Sequence, residues 1–140
     1  MSFEEILNSS ELLETPSIDS SWGQGRTLFG GLSAALAFNK VRRNIEAERP
    51  LRSLSANFSG QVLSDTPFTL AHQILSDGKS ISQANGQVIQ NERIVTQVCA
   101  CFGIERESNI DVNSPQIELP KLGSNQRLNY MKGLTPEFVQ

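Results

Sequence analysis

The sequence is short of almost everything that marks a secreted, metal-binding or nucleic-acid-binding protein. It holds two cysteines and one histidine in 140 residues. Two thiols cannot build the disulfide framework of a small secreted domain. Cys99 and Cys101 also stand two apart in a strand-like run, where a shared face rarely meets disulfide geometry, so both are read as reduced, buried thiols. There is no Cys-x-x-Cys pair and no histidine cluster, and the two cysteines with His72 are too few ligands for a metal site. No metal and no cofactor is expected. Basic charge is scarce too: 12 Lys and Arg stand against 15 Asp and Glu, a net charge of -3, and aromatics make up only 6%. That composition offers neither an electrostatic footprint for nucleic acid nor a stacking platform. No run approaches the roughly 20 apolar residues of a membrane span. The opening "MSFEEILNSS" lacks the basic and apolar regions of a signal peptide. A soluble, cytoplasmic protein is the expectation.

What the sequence does carry is periodicity, over a length that suits one domain. Ser2 and Glu5 have capping-box spacing ahead of Ile6 and Leu7, which predicts a short helix ending before Pro16. A brief strand is expected over 17–22, then a glycine-rich loop. The most helical stretch follows, from Gly31 to Glu48, and its first half is apolar nearly all round, as for a buried helix. After Pro50 the period becomes two: Leu54, Ala56 and Phe58 share one face, and Ser53, Ser55, Asn57 and Ser59 the other. Residues 67–103 read as three long strands turning at Asp77-Gly78 and Asn91-Glu92, an antiparallel meander.

The predicted class is therefore α+β: a long central helix of roughly 25 Å wrapped by an antiparallel sheet of about five strands, the hotdog arrangement. Residues 1–104 form this single domain. Residues 105–140, with prolines at 115, 120 and 136 and no strong period, read as a linker or tail. One such unit leaves a sheet edge and apolar surface open, so a homodimer through the sheet is expected.

Three blocks, "GRTLFGGLSAALAFNKVRR", "RPLRSLSANFSGQV" and "LSDGKSISQANGQVIQNERIVTQVCACFG", together resemble the N-terminal half of the TesB-like acyl-CoA thioesterases, over Trp22 to Gly103. The resemblance implies a double hotdog of which this chain is the first half, hydrolysing acyl-CoA to free acid and CoA in fatty acid metabolism. The final "TPEFVQ" resembles the family's lead-in to the first strand of the second hotdog. It also implies that the catalytic Asp, hydroxyl residue and Gln belong to that second hotdog, so no residue here inherits their roles.

Thioester hydrolysis needs a base and donors aimed at the carbonyl oxygen as it becomes an oxyanion. Gly30 and Gly31, at the start of the predicted helix, would let a carbonyl approach free backbone amides; packing alone is the other reading of the pair. Asn57 and Gln97 are amides on apolar strands, able to orient a water or the thioester but not to act as a base. Ser33 is a possible hydroxyl contact. A base is harder to find. The helix has no carboxylate between Gly30 and Ile45; Glu46 and Glu48 lie at its far end, Asp65 and Asp77 fall in predicted turns, and only Asp19 is near the loop. His72 has no acid at a suggestive position for dehydratase chemistry. Arg26 and Lys79 are the preferred contacts for CoA phosphates, ahead of Arg42, Arg43 and Arg93. Two functions stay open: the N-terminal hotdog of an acyl-CoA thioesterase, inactive in isolation for want of a carboxylate, or a non-catalytic hotdog serving as dimerisation scaffold or acyl-chain binding module. A lipid-binding module of another fold is disfavoured by the three blocks.

Overall fold

The chain begins with a helix that caps itself. Glu5 N–H donates to Ser2 Oγ at 3.2 Å and Ser2 N–H donates to Glu5 Oε2 at 2.6 Å, which satisfies two orphan donors and starts α1 (Phe3–Leu12). The computed structural model describes residues 2–110, Val112 and Gln116. The chain divides into two compact units, Met1–Glu107 and Ser108–Gln140, and every element named below belongs to the first. The tail expected over 105–140 lies mostly outside the described residues.

Where a strand over 17–22 is expected, Asp19 Oδ1 accepts from Ser21 N–H at 2.8 Å and bends the chain into a single 3-10 turn, Ser20–Trp22. A two-residue hairpin follows, β1 (Gly23–Gln24) with β2 (Thr27–Leu28), and leads into the central helix α2 (Gly30–Arg42). The remaining strands are β3 (Leu51–Phe58), β4 (Thr69–Asp77), β5 (Ile81–Gln90) and β6 (Arg93–Gly103). They form one antiparallel sheet in the order β3-β6-β5-β4, four strands in place of the five or so expected. The fold is a hotdog. β5 and β6 turn at Asn91 and Glu92, whose φ values of 51° and 62° match a tight hairpin of the primed type.

α2 stops six residues short of Glu48, where its end tightens: Asn44 N–H donates to Val41 O at 2.9 Å and Ile45 N–H to Arg42 O at 3.4 Å. Asn44 Nδ2 donates to Lys40 O at 2.8 Å, and the Arg42 guanidinium donates to Glu46 O at 3.2 Å and Ala47 O at 2.7 Å. The chain thus folds back toward Pro50 and β3. Beyond it, Arg49 is buried, donating to Gly78 O at 2.8 Å, Ser82 Oγ at 2.9 Å and Glu46 Oε2 at 2.9 Å. It fastens this turn to the β4–β5 hairpin. At the opposite end of β5, Gln90 does similar work with an amide: its Oε1 accepts from Leu63 N–H at 2.8 Å, while its Nε2 donates to Leu63 O and Thr66 O.

The sheet has two unlike faces. Toward α2 point Ala84, Gly86 and Val88 of β5 and Val98, Ala100 and Phe102 of β6, all buried against Leu32, Leu36, Ala37 and Val41. Away from α2, the register sets Asn57, Gln97 and Gln87 in one cross-strand row, Ser55, Cys99, Asn85 and Gln73 in the next, and Ser53, Cys101 and Gln83 in a third. α2 packs on β4, β5 and β6. Edge strand β3 is exposed along its whole length, so the apolar row Leu54-Ala56-Phe58 has the expected face but not the expected cover.

Contact between helix and sheet is closest at Gly86. A Cβ there would overlap the Ala37 carbonyl oxygen and stand 2.7 Å from Val41 Cγ2 and 2.9 Å from the Ala37 carbonyl carbon. The obstacle is helix backbone, which cannot rotate aside. Gly86→Ala is therefore expected to destabilise the domain by more than about 3 kcal/mol, read by urea unfolding, whereas Ala84→Gly should cost far less.

A second expectation concerns α1. Hydrogen bonds from Ser2, its backbone amide first and its hydroxyl second, hold the Glu5 carboxyl below its ordinary pKa. A lowered folded value means the cap's contribution is complete at neutral pH and is lost as pH falls from the ordinary carboxylate range through that lowered value. NMR chemical shifts of the first turn of α1 should show fraying over that window, and Glu5→Gln should remove the dependence.

Candidate functional site

The N-terminus of α2 has no side-chain cap. Its N-cap residue is Phe29, whose carbonyl accepts from Leu32 N–H at 3.0 Å and Ser33 N–H at 3.3 Å. The amides of Gly30 and Gly31 precede the first intrahelical bond, and neither donates to another described residue. Two aromatic rings bracket them. Phe58 Cε1 lies 3.3 Å from where a Gly30 Cβ would be, and Phe29 Cε1 lies 2.5 Å from where a Gly31 Cβ would be. Both rings are more than half exposed, at 56% and 60%. The result is a pair of outward donors at the positive end of a helix dipole, with apolar walls on two sides.

The first turn is anchored from beneath by hydroxyls. Thr96 Oγ1 donates to Ser33 Oγ at 3.0 Å, and Ser33 Oγ donates to Gly30 O at 2.9 Å. Thr96 is fully buried and Ser33 is 1% exposed. Both hydroxyls are engaged and shielded, and Ser33 ties the first turn of α2 to β6. The sequence names Ser33 but gives no role to Thr96, which stands beside the more conspicuous Gln97. The one available signal is a hydroxyl on the otherwise apolar inward row of β6.

The remaining sequence candidates do not converge on this point. Asn57 and Gln97 face each other across β3 and β6, but on the outward side of the sheet, since their neighbours Phe58 and Thr96 take the helix side. Gln97 Oε1 accepts from Gln87 Nε2 at 3.3 Å. Arg26 is exposed in the β1–β2 turn, four residues before Gly30, and its carbonyl accepts from Ser64 N–H at 3.0 Å. Lys79 is exposed in the β4–β5 hairpin, at the end held by Arg49. Ser82, beneath that hairpin, and Val88, opposite Thr96, are separated by about 20 Å of strand, so Lys79 lies at the other end of the sheet from the glycines.

Three of the acids have partners elsewhere. Asp19 caps the 3-10 turn, where the Ser21 hydroxyl and then the Ser21 amide hold its carboxyl below the ordinary value. Asp77 accepts from Ser82 Oγ at 2.6 Å, Glu46 pairs with Arg49, and Asp65 sits in a turn at φ 54°. His72 is exposed on β4 opposite Gly86. Among the described residues no group of three or more His, Cys, Asp or Glu is gathered as a metal ion would need, and no helix is long and apolar enough to cross a membrane. What stands at this helix start is therefore a pair of backbone donors, Gly30 and Gly31, that no described acceptor engages.

The profile of the acyl-CoA thioesterase N-terminal domain matches residues 18–103. No curated protein matches the chain. Solved structures with the same fold include a TesB protein of Mycobacterium avium subspecies paratuberculosis, 16% identical, TM-score 0.59, the match covering 86% of this chain and 50% of that one. A hot dog-fold protein of unknown function from Alicyclobacillus acidocaldarius is 22% identical, TM-score 0.57, over 76% of this chain and 40% of its own. A Bacillus halodurans protein solved with CoA is 16% identical, TM-score 0.53, over 64% of this chain and 68% of its own. The chain thus spans half or less of the length of the first two.

Thr96→Val tests the hydroxyl anchor. It removes the donor to Ser33 at nearly constant volume, and the expected cost is about 1 kcal/mol in chemical denaturation. Amide exchange at the first turn of α2 should quicken more than exchange in β5.

Proposed function

Because the chain belongs to the acyl-CoA thioesterase N-terminal domain family, we propose that it is the first hotdog of a double hotdog that hydrolyses acyl-CoA thioesters, and that its helix start supplies the oxyanion donors of a composite site. The observation that carries this reading is the pair of unengaged amides at Gly30 and Gly31 between Phe29 and Phe58. A thioester carbonyl oxygen accepting from these amides is polarised. Water then adds to the carbonyl carbon, the resulting oxyanion is held by the two N–H groups, and the C–S bond breaks to give the acid and the CoA thiol. The proton taken from that water needs a carboxylate. In this reading the carboxylate comes from the second hotdog, with residues 105–140 leading toward it. Of the two preferred cations, Arg26 is at the right end of the sheet to meet the CoA phosphates. Asn57 and Gln97 would orient nothing at these amides, because the sheet stands between.

A homodimer through the exposed edge of β3 is the corresponding proposal for the chain by itself, since that edge has unpaired backbone groups and the uncovered row Leu54-Ala56-Phe58 beside it. Unpaired cysteines and a CoA thioester substrate suit a cytoplasmic setting. The second reading, a non-catalytic scaffold or acyl-chain binding module, is favoured by one observation: α2 carries no carboxylate, and Asp19 is taken up in capping the 3-10 turn.

The test is binding and turnover of short to long acyl-CoAs by the full chain, with heat-denatured protein controlling for thiol background. Saturable binding with little or no CoA release is expected. Gly31→Val should weaken acyl-CoA binding about tenfold, near 1.4 kcal/mol, and leave binding of free CoA unchanged. Absence of saturable binding to any acyl-CoA would overturn the reading. Rapid hydrolysis by the chain alone would overturn the assignment of the base to a second hotdog.

A further inference from the structure

The C-terminal end of α1 gathers negative charge that its surroundings answer only in part. Leu13 N–H donates to Ser9 O at 3.2 Å, but the carbonyls of Ser10, Glu11 and Leu12 accept from no donor among the described residues. No basic residue stands in the last turn to meet the negative end of the helix dipole. Two carboxylates are there instead, Glu11 and the exposed Glu14. Lys40 of α2 donates to Glu11 Oε2 at 3.0 Å, while Arg43 is turned to Asn8 Oδ1. The second carboxylate oxygen, Glu11 Oε1, is shielded and has no hydrogen-bond partner, on a side chain only 9% exposed. A buried carboxylate oxygen left unpaired is costly. Glu11 also lines an open depression of about 220 Å³, with Leu12, Leu13, Glu14, Lys40 and Leu70 of β4 as its other principal walls.

We propose that this depression receives an arginine side chain of a partner polypeptide, its guanidinium donating to Glu11 Oε1 and its stem lying along the leucines. Charge selects a cation. Glu11 and Glu14 against Lys40 leave one negative charge unmatched, and the free carbonyls at the end of α1 add to it. Size selects a single side chain, because sites for drug-sized ligands run to about 300–1,000 Å³. The surface around it selects a polypeptide: Leu12 and Leu13, 85% and 58% exposed, would stay wet beside a free small cation, whereas the residues flanking an arginine cover them. A guanidinium suits a shielded oxygen better than an ammonium, being planar and more weakly hydrated, and its remaining N–H groups can serve the free helix carbonyls. The last torsion of a glutamate side chain is soft, so a modest turn of the carboxyl presents Oε1 to the depression that the residue lines. The site rests mainly on α1, which precedes the matched family domain at residue 18, and Lys40 stands about 15 Å along α2 from Gly30. It is therefore independent of any acyl-CoA chemistry.

The experiment titrates the full, isotope-labelled chain with the peptide acetyl-Leu-Arg-Leu amide, and with the same peptide carrying citrulline, whose neutral urea keeps the shape of the guanidinium. By NMR, the amides of Ser10 to Glu14 and of Lys40 should shift saturably with the arginine peptide, at a Kd of about 1 mM, and the citrulline peptide should bind about tenfold more weakly. Glu11→Gln should weaken the arginine peptide about tenfold. Leu12→Ser, at a position too exposed to bear on folding, should weaken it about threefold. The proposal is overturned by the absence of a saturable shift, by a citrulline or lysine peptide that binds as tightly, or by unchanged affinity in Leu12→Ser or in a Glu11→Gln chain whose α1 is intact by circular dichroism. Ethylguanidinium binding as tightly as the peptide would overturn a polypeptide as the occupant.

Discussion

Everything in this domain depends on how closely α2 can lie on β5. At Gly86 the sheet offers no side chain, and the helix backbone at Ala37 occupies the space a Cβ would need. Around that point the residues on both surfaces are small: Ala37 on the helix, Ala84 and Ala100 on the strands. Larger side chains sit further out, where Phe38 stacks on Phe102 with ring centroids 6.2 Å apart and Arg42 lies over the Phe102 ring at 5.3 Å. A close centre with bulky flanks fixes the height and direction of the helix together. Since the glycine pair begins that helix, its distance from the sheet is set by the same contact.

The two ends of α2 are held by different chemistry. At the C-terminal end the fastening is charged: Arg49 reaches Gly78, Ser82 and Glu46, and Asp77 stands 3.7 Å away. Such a buried guanidinium contributes through the completeness of its partners, since removing any one would leave charge or carbonyl unsatisfied. At the N-terminal end the fastening is the hydroxyl relay Thr96 to Ser33 to Gly30. Nothing there is ionised, and the donors above it are left free to face a ligand.

Much of this could be read from the order of residues. Capping-box spacing at Ser2 and Glu5 led to α1, the apolar stretch after Gly31 to α2, and period two with Asn91-Glu92 to the β5–β6 hairpin, because each of these is a local regularity. The rest required tertiary knowledge. Alternation told which residues of β3 share a face, but not that α2 would leave that strand uncovered. Nothing local marks Gly86, since its reason is a helix some fifty residues earlier in the chain. Asn57 and Gln97 stood out as amides on apolar strands, yet their side of the sheet is opposite the helix. Nothing local marks Arg49, because only the folded hairpin supplies its partners Gly78 and Ser82. The helix ends before Glu48 with no breaker to mark it, its last turn tightening through backbone bonds from Asn44 to Val41 and from Ile45 to Arg42.

The hydroxyl relay has a consequence for the proposed function, in which a strongly anionic nucleotide thioester comes to the helix start. Such a molecule arrives with its own cloud of counterions, and it alters the local potential as it binds and leaves. Had the helix start been fastened by an ion pair, each passage would loosen or tighten it. A neutral relay does not respond to that field. The amides of Gly30 and Gly31 therefore keep their aim through changes of salt, and in the proposed reading their orientation is set before any carbonyl arrives.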